Sequence, residues 1–405
     1  MYLERHIFSY VERMMKQFKV ILLTGSRQVG KSTMLKEKLL PQYDYVVLDD
    51  FNELDLAKND PALFMKNHKS PLIVDEVQRS PELFLQLKFI ADQTSDKGKI
   101  ILTGSQSYKL LKNASDSLTG RICLIDMVPL SMREKLKIDF NSPFLPVDEY
   151  IESRNKHIKN YDDLWTHIQR GCMPELYVEN IEWESFYRSY IRTYLERDVA
   201  ELINVKNLLK FNSFMKCLAA RTGELVNSDA VARDVGVTVK TIQEWTSILE
   251  SSGIIRLIHP YENNITNRTV KTPKVYFMDT GLVCYLIGWT SPQVAMNGAM
   301  SGTLFENFVI SEIIKSYYNS GHDIQNLYFY RDKDQKEIDL VIDSDGFLFP
   351  VEIKKSSRPS KDMTKHFSVL EKIPGKKVGQ GCVICQCKKN MLITENVVAL
   401  PVELI

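Results

Sequence analysis

Gly25-Ser26-Arg27-Gln28-Val29-Gly30-Lys31-Ser32 sets two glycines, a lysine and a hydroxyl at the spacing G-x-x-x-x-G-K-S. Glycines let the backbone curl until successive N–H groups point at one anion. The spacing falls between an apolar run, KVILLT (19–24), and a helical pattern, KSTMLKEKL (31–39). The start of that helix adds favourable dipole charge for a phosphate. Lys31 would reach the β- and γ-phosphates of a nucleotide, and the Ser32 hydroxyl would ligate Mg²⁺. The expected binding segment is Gly25, Ser26, Arg27, Gln28, Val29, Gly30, Lys31, Ser32 and Thr33. The plain alternative is a glycine-rich structural turn.

A second group of residues suits the same chemistry. The run LIVD ends in Asp75-Glu76. An Asp at the C-terminal end of a buried parallel strand projects into the crevice where ligands sit. Asp75 would hold Mg²⁺ through water, and Glu76 would polarise an attacking water as general base. A helix N-cap is the other reading of Asp75. The run KIILT leads into Gly104-Ser105. Ser105, with Thr103 behind it, could sense the γ-phosphate, or both could serve a turn. Arg121, in SLTGR, could be an arginine finger presented to another copy of the chain, or an ordinary surface arginine.

These residues need a frame. Short apolar runs at 19–24, 45–49, 71–75, 99–103 and 121–126 lack polar alternation, as strands buried on both faces do. Amphipathic stretches such as PELFLQLKFIADQ (81–93) separate them. The alternation predicts a parallel sheet covered by helices on both faces. A polar stretch, 135–163, follows and reads as a linker or loosely packed extension. Residues 165–252 are helical in pattern, and strand-like runs occupy 254–258 and 274–279. Further strands are expected at 327–331, 337–342, 347–355 and 382–386, after a helix at 304–318.

The chain has 405 residues, which predicts two to three domains. Its 44% hydrophobic and 25% charged content excludes a disordered or collagen-like chain. The net charge is +1, so any nucleic-acid binding must come from a local patch. No apolar run approaches the roughly twenty residues of a membrane span. The N-terminus lacks a signal-peptide pattern. A cytosolic chain without membrane contact is expected. Cys382, Cys385 and Cys387 lack the nearby histidine of a good zinc site and read as buried strand cysteines.

The phosphate-loop sequence GSRQVGKSTML, the Asp49-Asp50 pair, LIVDEVQRSPELFLQLK, ILTGS and SLTGR resemble the bacterial and archaeal AAA-type ATP-binding proteins of unknown function. GCMPELY (171–177), YLERDVAEL (194–202), PKVYFMDTGL (273–282), GTLFEN (302–307) and VEIKKS (351–356) carry the resemblance through nearly the whole chain. It implies ATP binding and hydrolysis with Mg²⁺, and a C-terminal half with a domain of its own. Ser32 stands where the family often has threonine, and both supply a hydroxyl.

Val226–Ser251 reads as two helices joined at Gly236, Ser228–Val235 and Thr238–Ser251. With the strands that follow, this suggests a winged helix-turn-helix. Lys240, Thr241, Gln243 and Glu244 would face outward, and Ile242, Trp245, Ile248 and Leu249 inward. Polar side chains near the start of a recognition helix reach base edges. Arg268, Lys271 and Lys274 would touch backbone from the wing.

The C-terminal strands carry Asp339, then Glu352 and Lys354 on one face after an Asp345-Gly346 turn. This is the D…E-x-K pattern of restriction-endonuclease-like domains, in which the carboxylates hold Mg²⁺ and the lysine steadies developing charge. The family resemblance adds Glu306 as a helix-borne carboxylate. An exposed charged strand face is the simpler reading.

The expected architecture is α/β: a P-loop AAA-type domain (1–134), a linker and helical region (135–200), a winged helix-turn-helix (201–290) and a small restriction-endonuclease-like α/β domain (301–405). The expected function is a Mg²⁺-dependent ATPase switching a DNA-associated C-terminal module. The alternatives are an ATP-gated, metal-dependent DNA nuclease and a non-catalytic DNA-binding regulator. ATP, DNA and further copies of the chain are the partners considered.

Overall fold

The computed structural model describes residues 2–105, 118–193, 208–262 and 271–405. The stretch YLERDVAEL (194–202), which carries part of the resemblance, and Arg268 of the expected wing lie outside them. Helix α1 (Phe8–Met15) precedes β1 (Val20–Thr24), α2 (Lys31–Leu39), β2 (Asp44–Val47), α3 (Phe51–Asn59), α4 (Pro61–Asn67), β3 (Leu72–Asp75), α5 (Leu83–Gln93), β4 (Ile100–Thr103) and β5 (Ile122–Asp126). Among the described residues these strands form a five-stranded parallel sheet in the order β2-β3-β4-β1-β5.

The sheet follows from the apolar runs. Side chains alternate along a strand, so Val20 and Leu22 join one core while Ile21 and Leu23 join another on the opposite face. Strands β1, β3 and β4 are buried along their whole length. Insertion of β4 between β1 and β3 sets the ends of all three strands side by side. Asp50 of the Asp49-Asp50 pair is the N-cap of α3, accepting from the Asn52 and Glu53 amides at 2.8 and 3.2 Å. Asp49 pairs with Arg79.

The stretch expected as a loose linker is packed instead. Phe144 is fully buried, and Phe140, Tyr150, Ile151 and Tyr161 join the largest core. Tyr150 meets the rings of Phe140 and Phe144 edge-on at 5.5 and 5.3 Å. Arg154 is fully buried and donates to the Glu403 carbonyl at 2.7 Å. Large aromatics buried one at a time, without a helical or strand period, explain the missed packing.

Helices α6 (Leu208–Ala219), α7 (Ser228–Val235) and α8 (Val239–Ser251) follow. Gly236 ends α7 in the left-handed region, and the Thr238 hydroxyl caps α8. Trp245 is wedged between Phe211 and Phe214 at 5.3 and 5.4 Å. Strands β6 (Ile255–Pro260) and β7 (Lys274–Phe277) pair antiparallel. Helix α9 (Ser301–Ser320) is buried along most of its length.

The remaining strands are β8 (Leu327–Arg331), β9 (Glu337–Ser344), β10 (Phe347–Lys354), β11 (Lys377–Val378), β12 (Gly381–Cys385), β13 (Met391–Thr394) and β14 (Val397–Pro401). Asp345 and Gly346 both have positive φ and form the expected β9–β10 turn. Strand β6 pairs with β8, so the β6–β7 hairpin and the C-terminal strands share one sheet, ordered β13-β14-β12-β10-β9-β8-β6-β7 with β11 on β10. That sheet crosses the boundary expected near residue 300. Cys382, Cys385 and Cys387 are buried and free. Among the described residues no helix is long and apolar enough to cross a membrane.

Candidate functional site

The phosphate loop joins β1 to α2. Gly25 has φ 150°, and a Cβ there would lie 2.2 Å from the Met127 carbonyl oxygen. Any side chain would collide with backbone, which is why glycine is needed. Gly30, at φ 93°, turns the chain into α2. Ser26 and Val29 are buried, while Arg27, Gln28 and Thr33 are exposed along the loop. Lys31 is buried and its ammonium donates to the carbonyls of Gly25 and Ser26 at 2.9 and 3.0 Å. Burial pushes its pKa down to about 8, against the opposing charges of Glu76 and Asp75.

Asp75 ends β3 beside this loop. Its carboxylate accepts from the hydroxyls of Thr103 on β4 and Tyr45 on β2, and from the Glu76 amide at 3.1 Å. The Ser32 hydroxyl also bonds it. Burial raises the carboxyl's pKa, but these hydrogen bonds outweigh burial and hold it below its ordinary value. Asp75 is therefore an anion set against the Ser32 hydroxyl rather than a helix cap. Glu76 has φ 58° and accepts from the Gln78 side chain.

A hydroxyl and a carboxylate in contact at the phosphate loop fit Mg²⁺, which is held by one or two protein groups plus substrate phosphates and water. Among the described residues no group of three or more His, Cys, Asp and Glu is placed to hold a metal ion.

Two supports escaped sequence reasoning. Tyr45 sits on the edge strand, and only the register of β2 on β3 brings its hydroxyl to Asp75. Arg5 precedes α1, is buried, and donates to the carbonyls of Val29 in the loop and Val128 after β5. It also pairs with Glu134 at 3.0 Å. Burial would raise the Glu134 carboxyl, but Arg5 overrides it and holds the pKa at about 2. Nothing in the local sequence around Arg5 announces this brace.

Ser105 lies two residues past the end of β4, at the loop's edge of the sheet, and Thr103 is the residue that touches Asp75. Arg121 lies at the other edge. It precedes β5, whose first residue pairs with the first residue of β1, whereas the loop follows the last. Arg121 bonds Asp92 and donates to the Thr119 carbonyl at 2.9 Å. The length of β1 therefore separates it from the phosphate loop of its own chain.

Lys240, Gln243 and Glu244 are exposed on α8, with Thr241 half-buried. Ile242, Trp245 and Leu249 are buried and Ile248 is half-buried. Lys271 pairs with Glu262. Lys274 corrects the expectation of a backbone contact. It is 3% exposed and ion-paired with Glu306 at 3.3 Å and Glu337 at 2.6 Å.

The four C-terminal residues do come together. Lys354 bridges Asp339 at 3.3 Å and Glu352 at 2.5 Å. The Ile353 amide donates to Asp339 at 2.8 Å. Glu306 accepts from the Tyr276 hydroxyl at 2.7 Å. Burial, then the charge of Asp339, pushes both the Glu306 and Glu352 carboxyls up. Lys274 opposes the rise at Glu306 and Lys354 the rise at Glu352, and neither cancels it.

The parallel sheet, the loop, Lys31, Ser32 and the Asp75–Thr103 contact define an AAA-type P-loop ATPase-like domain. The family model described as AAA domain matches residues 17–136, and a domain of unknown function (DUF4143) matches 301–405. A further domain of unknown function (DUF8612) matches 161–293. An uncharacterized protein of Mycobacterium tuberculosis is 26% identical over 397 residues, 97% of this chain and 82% of that protein. One of Methanocaldococcus jannaschii is 23% identical over 344 residues, 80% of this chain and 72% of that protein. Among solved structures, a Walker-type ATPase of Pyrococcus abyssi is 14% identical with a TM-score of 0.46, covering 70% of this chain and 96% of its own. The RuvB Holliday junction branch migration motor of Thermotoga maritima is 16% identical with a TM-score of 0.29, covering 62% and 88%.

Proposed function

We propose that the chain binds and hydrolyses ATP with Mg²⁺, and that hydrolysis switches a DNA-associated C-terminal half. The observation that carries this reading is the convergence of Lys31, Ser32, Asp75 and Thr103 at one edge of the parallel sheet. The loop amides and Lys31 bind the phosphates. Ser32 and Asp75 hold the metal, and bound Mg²⁺ would neutralise charge developing on the transferred phosphoryl group. Glu76 orients and deprotonates the attacking water, and Ser105 senses the γ-phosphate beside Thr103. Arg121, remote from its own loop, acts in the site of a neighbouring copy. Arg121→Ala should then lower turnover but spare ATP affinity, and mixing it with Glu76→Gln protein should restore part of the activity.

Helices α7 and α8 with the β6–β7 hairpin support a winged helix-turn-helix, with Lys240, paired with Glu244 at 4.0 Å, and Gln243 exposed to meet DNA. The test is ATP turnover with and without duplex DNA. Turnover that depends on Lys31 and responds to DNA supports the whole reading. Lys31-dependent turnover indifferent to DNA removes its DNA half. Turnover that survives Lys31→Ala removes the ATPase half.

A second reading, a metal-dependent nuclease, rests on the gathering of Glu306, Asp339, Glu352 and Lys354. Nicking of supercoiled plasmid with Mg²⁺ or Mn²⁺, lost in Asp339→Ala, would support it. No nicking under any metal and nucleotide condition would leave the cluster as an ion-pair network.

A further inference from the structure

Asp126 is the last residue of β5 and pairs in register with Thr24, the last residue of β1. The Thr24 hydroxyl donates to its carboxylate, and the Met127 amide donates to the Thr24 carbonyl at 2.7 Å. Gly25 of the phosphate loop follows Thr24 directly. The loop is held there by its own lysine, because Lys31 donates to the Gly25 and Ser26 carbonyls. On the nucleotide reading, a bound phosphate competes with these two carbonyls for the ammonium, next to Thr24.

Asp126 also meets the C-terminal half. Arg256, on β6, brings its guanidinium to 3.7 Å from the carboxylate and is 6% exposed. The same guanidinium is anchored by the end of α8 and by α9. It donates to the Glu250 carbonyl at 2.8 Å and to the Tyr318 hydroxyl at 3.2 Å. The Glu250 carboxylate lies in its field as well. Burial raises that carboxyl's pKa, and the charge of Arg256 opposes the rise. Glu250 accepts from the Leu257 amide at 3.4 Å, a long bond.

Arg256 thus has two carboxylates at hand, one from the parallel sheet and one from α8. Asp126, Glu250, Arg256 and Tyr318 all line a cavity of about 360 Å³. The guanidinium can move between the two partners without displacing packed side chains, which a two-state element in a dense interior requires.

We propose that Arg256 couples the phosphate loop to the C-terminal half by trading Asp126 for Glu250 when a nucleotide occupies the loop. The proposal deepens the switching part of the proposed function and rests on its nucleotide reading. It places the first response to the nucleotide at the last turn of α8 and the start of β6.

Amide hydrogen exchange at Ser252, Gly253, Ile254 and Leu257 reads the trade. The first three amides bond carbonyls of α8, and the fourth bonds the Glu250 carboxylate. In the parent protein, Mg²⁺ with the non-hydrolysable analogue AMP-PNP should slow them at least about fivefold, the low end of an ordinary coupling between sites. Asp126→Asn keeps an oxygen for Thr24 and removes the charge that draws Arg256. It should slow the same amides by a similar factor with no nucleotide present, and AMP-PNP should then add less than about twofold. Unchanged AMP-PNP affinity shows that this variant is folded. Glu250→Gln keeps an acceptor for Leu257 and removes the second partner. It should bind AMP-PNP as the parent does and show no slowing, and it decides alone if Asp126→Asn does not fold. Faster exchange in Asp126→Asn overturns the proposal, because an ion pair that served only the fold would loosen these amides when broken. So does a full response to AMP-PNP in either variant, or no response in a parent that binds AMP-PNP. A parent that binds no AMP-PNP overturns the nucleotide reading itself, and the proposal with it, a result distinct from the others.

Discussion

Lys31 and Lys274 are both buried beside carboxylates, yet they end in opposite electrostatic states. The Lys31 ammonium hydrogen-bonds uncharged carbonyls, while nearby Asp75 is occupied by hydroxyls and an amide. Burial dominates, and its pKa falls to about 8. Lys274 lies between Glu306 and Glu337, and their charges, with that of Asp339, overcome burial and raise its pKa. Lys354 is raised in the same way by Asp339 and Glu352. On the proposed nucleotide reading, the cation that meets a ligand is kept off the protein's own carboxylates. A cation that serves the fold is given them.

The largest expected effect sharpens the catalytic side of this contrast. Glu76→Gln keeps Lys31, Ser32 and Asp75, so ATP should still bind. Turnover should fall by about 10²–10⁴-fold, the usual contribution of a general base. Single-turnover hydrolysis measured at saturating ATP checks this, and an undiminished rate would move the base elsewhere.

The next pair sets the two lysines against each other in stability. Lys274→Ala strips the counter-charge from the partly buried Glu306 and Glu337 and leaves the space of a buried side chain unfilled, so it should destabilise the fold by about 2–4 kcal/mol. Lys31→Ala removes a buried charge that the unliganded fold holds poorly, so it should be neutral or stabilising. Urea unfolding of both variants decides the matter. Equal losses would break the distinction drawn between them.

How much of this was legible beforehand depends on distance along the chain. The strand, the loop and the helix behind Lys31 are contiguous, and the apolar runs fix the strands, so the phosphate site can be read locally. The face shared by Glu352 and Lys354 follows from strand alternation and a recognisable Asp-Gly turn. Tyr45 and Arg5 cannot be read this way, because strand order and an N-terminal segment folding back bring them to the site. Lys274 looked like a wing residue because the sequence does not reveal that β6 pairs with β8. Strands β13 and β14 were missed. The packing of 135–163 was hidden because Phe140, Phe144 and Tyr150 follow no regular period among polar neighbours.

A smaller effect concerns affinity. Lys31→Ala removes a charge-assisted contact of about 1.5–3 kcal/mol, roughly 10- to 150-fold in ATP binding. A fluorescent ATP analogue titrated against the folded variant measures it. Lys274→Ala, once corrected for its folded fraction, should bind that analogue as the parent does. A comparable loss in both would mean that the two lysines are not separated in role.

The smallest effect follows from the depressed pKa of Lys31. With the free-state value near 8 and the ordinary value at 10.5, the lysine is partly deprotonated in the unliganded protein at pH 8–9. A bound triphosphate favours the charged form, because negative charge beside an ammonium raises its pKa. Binding must then take up a fraction of a proton in that window, and affinity must fall as pH rises through it. Well below pH 8 the lysine is charged in both states, so no proton is taken up and its contribution to affinity is complete. Calorimetry of ATP binding at pH 8.5 in two buffers of different ionisation heat reads the uptake directly. Lys31→Arg stays protonated throughout, so it isolates the nucleotide's own titration. Equal uptake by the parent and Lys31→Arg would mean that Lys31 is already fully charged in the free protein. The contrast with Lys274 would then lie in hydrogen bonding alone.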